Sequence, residues 1–222
     1  MKKLIRGITD FRKNVLEGYR DTFARLALGQ SPDALFIACS DSRVVPNLFA
    51  STDPGDLFVV RNVGNLIPPC KQNGLSVGDE SEAAAIEFSI HTLKVSSIII
   101  CGHSECGAMQ SLLADRNKIS SPNLRSWLKY GEKSLKRLHE GVVLDKNLKL
   151  HNQLSQINVL EQKKSLETYP IVQKMISQNK LNIYCWWFDI ATADVYSFND
   201  SVNRFKILDD EEAERLISGL NV

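Results

Sequence analysis

The sequence lacks an excess of charge of either sign. Lys and Arg together number 27 and Asp and Glu number 26 among 222 residues, so the formal net charge is +1. Proteins that bind nucleic acid usually show a basic excess or a basic stripe, and this balance argues against such a partner. The chain also lacks an apolar run long enough to cross a membrane. We therefore expect neither nucleic acid nor a membrane among its partners.

The N-terminal segment lacks the continuous apolar stretch of a secretory signal, because Arg6, Asp10, Arg12 and Lys13 interrupt it. Five cysteines, an odd number spread along the chain, do not form the pattern of a disulfide framework. The absence of a C-x-x-C pair argues against a redox function. These absences together predict a cytoplasmic protein with free thiols.

Three short apolar runs predict buried strands, since each is rich in β-branched or aromatic residues and ends at a loop signal. They are "ALFIAC" (34–39), "DLFVVRNV" (56–63) and "SSIIICGH" (96–103). Residues 80–95 and 106–116 have the composition and apolar spacing of helices. Continuous apolar strands that alternate with helices predict an α/β fold, with a mostly parallel central sheet covered by helices on both faces.

The second half of the chain is more helical. Residues 121–141 predict one amphipathic helix that ends at Gly141, and residues 152–170 predict another that Pro170 closes. Residues 181–200 predict two strands joined by a short turn, which adds an antiparallel strand near the C-terminus.

Residues with metal-binding chemistry follow two of the predicted strands. Cys39 ends the first strand, and the third strand ends in His103, followed by Cys106 in an H-x2-C pair. The carboxyl ends of parallel strands meet at one edge of a sheet, where ligands bind. Three protein ligands with one open position are typical of a catalytic zinc site. Spacing alone leaves a second interpretation open, in which these residues are packed thiols beside a polar turn.

The remaining cysteines are weak candidates for a fourth ligand, because they lie in a loop or within strands. They are Cys70, Cys101 and Cys185.

The paired motifs "CSDSR" (39–43) and "GHSECGA" (102–108) resemble those of the β class of carbonic anhydrases. The segments "DLFVVRNVGNLIPP", "INVLEQKKSLETYP" and "YCWWFDIATADVYSFND" are similar to that family in the same order, so the resemblance covers nearly the whole chain. The N-terminal segment resembles that of bacterial members of the cyanobacterial type. The resemblance implies zinc-dependent, reversible hydration of carbon dioxide to bicarbonate and a proton.

The resemblance also implies roles for individual residues. Cys39, His103 and Cys106 would bind Zn²⁺, and Asp41 with Arg43 would form a catalytic pair beside the metal. The residues implied to contact substrate are Gln30, Phe58, Val63, Phe88 and Gly107.

A homodimer is the minimum assembly that the resemblance implies, and a tetramer is the alternative. Residues 1–30 would form a helical arm that wraps over the partner, and residues 31–222 a single catalytic domain. Apolar residues at helical spacing in the arm fit this role. They are Leu4, Ile8, Phe11, Val15 and Tyr19.

The residue types suggest how the pair would act. Two thiolates cancel the formal charge of zinc, so a bound water would be less acidic than with three imidazoles. Asp41 would accept a hydrogen bond from that water, while Arg43 holds the carboxylate ionised and away from the metal. If Arg43 released it, Asp41 would become a fourth ligand and close the site. Closed family members resemble one another in having a Trp where this chain has Phe36 and a Tyr where it has Phe88. We therefore expect the metal site of this chain to be of the open type.

Two alternatives stay open at this point. The first is a hydrolase for carbon disulfide or carbonyl sulfide on the same scaffold. The second is a non-catalytic protein that binds zinc or bicarbonate, which the presence of both Asp41 and Arg43 argues against.

Overall fold

A computed structural model describes residues 1–219 and contains one mixed sheet of six strands within that range. The strands are β1 (Ala34–Cys39), β2 (Leu57–Asn62), β3 (Ser97–His103), β4 (Asn182–Phe188), β5 (Val195–Asn199) and β6 (Arg204–Ile207). Their spatial order is β2-β1-β3-β4-β5-β6. The first four are parallel and the last two antiparallel. The predicted α/β fold with a mostly parallel sheet is therefore confirmed.

The helices lie between and around these strands. They are α1 (Lys2–Asp10), α2 (Leu16–Leu26), α3 (Pro46–Phe49), α4 (Glu80–His91), α5 (Gly107–Asp115), α6 (Pro122–Trp127), α7 (Glu132–His139), α8 (Leu150–Leu166), α9 (Pro170–Ser177) and α10 (Asp210–Gly219). None of the helices within residues 1–219 combines the length and the apolar character needed to cross a membrane.

Two helices differ from the prediction. The single helix expected over 121–141 is split into α6 and α7 by a 3₁₀ turn, Leu128–Gly131. A Cβ on Gly131 would lie 2.8 Å from Leu112 Cδ2, so the chain packs tightly on α5 at this residue. Glycine also weakens a helix, which agrees with the break here. Pro170 is also the first residue of α9. The first N–H groups of a helix have no partner within it, so the missing N–H of proline costs no hydrogen bond there.

The sheet divides the core in two. On one face Leu35, Ile37 and their neighbours on β3 pack against α4 and α8. On the other face Phe36 packs against Phe49 and Trp186, with ring centroids about 6 Å from each. A groove of about 410 Å³ stays open on that second face, lined by apolar side chains of the sheet and of α10. The expected cover on both faces is therefore incomplete in a single chain.

The C-terminal part adds β6 and α10, which the sequence did not predict. Glu212 of α10 is 2% exposed and lies within contact distance of Arg215, Lys206 and Asn199. The hydrogen bond from Arg215 is the main cause that lowers the pKa of Glu212. This ionised carboxylate anchors α10 to the antiparallel end of the sheet.

The N-terminal segment forms a helical arm. A π-helical stretch, Phe11–Val15, joins α1 to α2, and no residue from Lys2 to Leu26 is buried. Leu4 and Ile8 are 63% and 69% exposed. The predicted helix and its apolar stripe are present, and in a single chain the stripe faces solvent.

Candidate metal centre

Three potential metal ligands lie together at the carboxyl edge of the parallel strands. Cys39 is the last residue of β1, His103 is the last of β3, and Cys106 immediately precedes α5. β1 and β3 are parallel neighbours, so their ends bring these side chains to one place. The ligating atoms lie within 4.8 Å of one another and all three residues are buried. The structure thus brings together the three residues that the sequence singled out.

The histidine ring is oriented for a metal. His103 Nδ1 lies 2.8 Å from the carbonyl oxygen of Ser104, so Nδ1 carries the hydrogen and donates it. Nε2 is then an acceptor, and it is buried without a hydrogen-bond partner. Metal-binding histidines commonly donate their second ring N–H to a carbonyl in this way. A buried nitrogen left without a partner is unfavourable, and a metal ion would supply the missing contact.

The two thiols form a coupled pair. A hydrogen bond from Cys106 is the main cause that lowers the pKa of Cys39 to about 4, despite the burial that opposes it. The backbone N–H of Gly64 also donates to Cys39 Sγ, at 3.3 Å. The same contact with Cys39 raises the pKa of Cys106. A thiolate beside a buried imidazole is the donor set that zinc prefers, so these residues fit the metal.

No fourth ligand of the same kind joins the group within residues 1–219. Cys101 and Cys185 are buried in the sheet, and burial raises the pKa of both thiols. Cys70 is half-buried in the loop after β2. Three protein ligands therefore leave one coordination position open, as in catalytic zinc sites.

A bidentate ion pair borders the cluster. Arg43 Nε donates to Asp41 Oδ1 at 2.9 Å, and Arg43 Nη2 donates to Asp41 Oδ2 at 2.7 Å. The Arg43 backbone N–H also donates to Oδ1, at 3.0 Å. The side-chain hydrogen bonds from Arg43 are the main cause that holds the pKa of Asp41 well below its usual range. Asp41 is therefore ionised, and its carboxylate is turned toward Arg43 rather than into the three-residue cluster.

Arg61 also supports the loop after β1, and the sequence reasoning missed it. Its Nε donates to the carbonyl oxygen of Cys39 at 3.0 Å, and its Nη2 donates to that of Asp41 at 2.6 Å. The signal was available, because Arg61 is the one charged residue in the apolar strand "LFVVRN". A charged residue in a strand predicted to be buried needs a hydrogen-bond acceptor, and in the structure Arg61 is exposed with two backbone carbonyls as acceptors.

A cavity of about 290 Å³ opens in front of the cluster. It is lined by Cys39, Ser40, Asp41, Val63, Gly107, Ala108, Ser111 and Leu124. Two of the five residues implied to contact substrate, Val63 and Gly107, are in this lining. A Cβ on Gly107 would meet nothing within 4 Å, which agrees with open space beside it. The larger apolar groove on the sheet is a separate feature, since it is lined by the first residues of β1, β2 and β3.

The other three implied substrate residues lie elsewhere in the single chain. Phe58 and Phe88 pack on each other, with ring centroids 5.8 Å apart, and Phe88 is 43% exposed. Gln30 borders a surface pocket formed by the end of the arm. Their contact with substrate stays a prediction, because none of the three lines the cavity in a single chain.

Phe36 and Phe88, taken together as a sign of the open form, do not share a pocket. Phe58 is paired in register with Leu35, so its side chain lies on the face of the sheet opposite that of Phe36. Phe88 packs on Phe58, whereas Phe36 is fully buried on the other face. In this structure Asp41 contacts Arg43, and the open form stays a prediction.

Comparison with known proteins agrees with this geometry. A family model described as carbonic anhydrase matches residues 34–195. The chain is 38% identical over 199 residues to a carbonic anhydrase of Synechococcus elongatus, covering 88% of this chain and 70% of the relative. It is 33% identical over 221 residues to a carbonic anhydrase of Pseudomonas aeruginosa, covering 99% and 97%.

The solved structure of the β-carbonic anhydrase CcaA superposes with a TM-score of 0.85 at 35% identity, covering 93% of this chain and 98% of that one. The chain belongs to the β class of carbonic anhydrases. A β-carbonic anhydrase of Sordaria macrospora, described as tetrameric, superposes with a TM-score of 0.75 at 28% identity, covering 90% and 98%. The recognised family, its fold and its enzyme class thus agree with the motifs from which they were inferred.

The cluster yields a prediction about zinc content. Cys106→Ser should lose most of the zinc that the unmodified protein retains after dialysis, because a hydroxyl is a far poorer ligand than a thiolate. Cys70→Ser is the matched control and should retain it, since Cys70 lies outside the cluster. Elemental analysis per chain measures both. Full zinc retention by Cys106→Ser would contradict the assignment of that ligand.

Proposed function

We propose that this carbonic anhydrase hydrates carbon dioxide with a water molecule held between the Cys39–His103–Cys106 group and Asp41. The observation that supports this proposal is the bidentate grip of Arg43 on Asp41 at the wall of the cavity that Cys39 also lines. An ion pair without a function would not be expected at the wall of this cavity, beside a potential metal ligand.

Zinc bound by Cys39, His103 and Cys106 would act as a Lewis acid that makes a nearby water molecule easier to ionise. The residues fit this ion, because His103 Nε2 is buried without a partner and lies within 4.8 Å of both coupled thiols.

Asp41 orients the attacking water in this proposal. Its carboxylate has about four acceptor sites, and Arg43 occupies only part of them, so Asp41 can still accept a hydrogen bond from water. That bond fixes one hydrogen and directs an oxygen lone pair at the carbon of the substrate. The lowered pKa makes Asp41 a poor proton acceptor, and its role is therefore orientation rather than general-base catalysis.

The cavity walls suit the substrate. Val63, Ala108 and Leu124 present apolar surface, which favours an uncharged gas, and Gly107 leaves room beside it. As the new C–O bond forms, the water loses a proton, which we propose passes to solvent or buffer. Bicarbonate then leaves through the same cavity.

We further propose that the working unit is at least a homodimer. The arm, residues 1–30, would cover a second copy, whose residues 31–222 form the catalytic domain. Three observations support it: the exposed stripe of the arm, the open groove on the sheet, and the position of Phe58 and Phe88 outside the cavity. Gln30, Phe58 and Phe88 would then reach the substrate across the interface.

A reducing compartment such as the cytoplasm is the proposed location. The five cysteines are free in the structure, and a thiol-based metal site needs them reduced.

Arg43→Ala tests the proposed mechanism. We expect kcat for carbon dioxide hydration to fall about a hundredfold or more, because a misplaced orienting group loses that much, while zinc stays bound. Stopped-flow assays and elemental analysis on one sample measure both. Arg215→Ala is the control, since it removes an arginine paired with Glu212 at the far end of the sheet. Near-normal turnover by Arg43→Ala would refute the role of the pair.

Ile8→Asp tests the proposed assembly. It places a charge in the apolar stripe, so the dimer should dissociate and light scattering should report about one chain per particle. Arg6→Asp places a carboxylate on the opposite side of α1, about 160° from Ile8 around the helix axis, and should leave the dimer intact. A monomeric unmodified protein, or an intact dimer in Ile8→Asp, would contradict the proposal.

A further inference from the structure

Glu105 connects the metal cluster to the Asp41–Arg43 pair. It lies between His103 and Cys106, and its φ of +55° is in the left-handed region that residues other than glycine seldom adopt. Its carbonyl oxygen accepts a hydrogen bond from Arg43 Nη2 at 3.1 Å. The unusual backbone conformation therefore sets the position of an acceptor that Arg43 uses.

That acceptor matters because of how Arg43 is bound. Nη2 carries two hydrogens, one directed to Asp41 Oδ2 and the other to the Glu105 carbonyl, so both are used. The Arg43 side chain is 49% exposed, and an exposed ion pair alone is weak. A third fixed acceptor in the plane of the guanidinium restricts its orientation, and thereby that of Asp41.

The N-terminal end of α8 holds Glu105 in this conformation. Asn152 Oδ1 accepts from the Glu105 backbone N–H at 2.7 Å, and Asn152 Nδ2 donates to Glu105 Oε1 at 3.3 Å. Lys149 Nζ lies 2.9 Å from the same Oε1, and His151 Nε2 lies 3.1 Å from Oε2. Asn152 is 6% exposed, so its two bonds are shielded from water. Glu105 is thus fixed at its backbone and at its side chain.

We propose that Asn152 and Lys149 are positioning residues for the reaction. Through Glu105 they fix the carbonyl that orients Arg43, and Arg43 in turn orients Asp41. This inference rests on the proposed role of the Asp41–Arg43 pair, and it adds two residues that touch neither substrate nor metal ligands.

Asn152→Ala is the principal test. Without Asn152 the Glu105 N–H loses its buried partner, so the left-handed conformation should be populated less. We expect kcat to fall about tenfold or more, in line with the loss of a buried partner, with KM and zinc content unchanged. A merely structural role for Asn152 would lower thermal stability and leave kcat of the folded enzyme as it was. A kcat within about twofold of the unmodified enzyme, which is the range of a weak surface contact, would overturn the proposal.

Lys149 provides a second test at a position that tolerates change, since its side chain is 70% exposed. Lys149→Glu places a second carboxylate against Glu105, so kcat should fall several-fold, whereas Lys149→Arg should retain it. Lys164→Ala is the matched control. It removes a lysine of α8 that pairs with Glu161, 2.7 Å away and outside the site, and should leave kcat unchanged. Unchanged kcat in Lys149→Glu would overturn the role of Lys149. If Asn152→Ala fails to fold, that same result would overturn the whole proposal.

A double substitution identifies the route. Lysine cannot form the bidentate contact, so Arg43→Lys already loses the orientation of Asp41. In that background Asn152→Ala should lower kcat no further, because both changes break the same chain of contacts. Losses that multiply would show that Asn152 acts by another route and would overturn the inference. Normal kcat in Arg43→Lys would instead refute the proposed function of the pair, and this result is distinguishable from a failure of Asn152 alone.

Discussion

The parallel pairing of β1 and β3 is the constraint on which the site depends. The pairing register places Ala38 beside Cys101, so the chain leaves both strands at the same level of the sheet edge. Cys39 from one strand then meets His103 and Cys106 from the other, although more than sixty residues separate them. Gly102 lets α8 pack directly on β3, since a Cβ there would lie 2.6 Å from Val159. A change in this pairing would separate the ligands and leave a buried nitrogen and thiol without partners.

Hydrogen bonds rather than apolar packing determine the rest of the site. Arg61 fixes the loop that carries Asp41, Arg43 fixes the carboxylate, and Asn152 fixes the peptide at Glu105. Each of these contacts uses a charged or amide group on a strand end, a loop or a helix end, where the backbone offers unpaired groups. The Asp41 carboxylate is held ionised by Arg43 as a result, and Asp41 lines the cavity together with Cys39.

Much of this arrangement was predictable from sequence, and the parts that were not predictable depend on tertiary contacts. Continuous apolar runs predicted the parallel strands, and the positions of Cys39, His103 and Cys106 at strand ends predicted their meeting. The carbonyl of Glu105 was not predictable, because every residue has a carbonyl and only the fold decides which one Arg43 meets. The break at Gly131 depends on contact with Leu112, a tertiary effect that overrides helical periodicity. The positions of Gln30, Phe58 and Phe88 relative to the cavity depend on more than one chain.

X-ray absorption at the zinc edge of the loaded enzyme tests the assignment of Cys39, His103 and Cys106 as metal ligands. We expect two sulfur ligands at about 2.3 Å and one nitrogen at about 2.0–2.1 Å, with one light-atom ligand in the fourth position. Three or four sulfur ligands, or none, would contradict it.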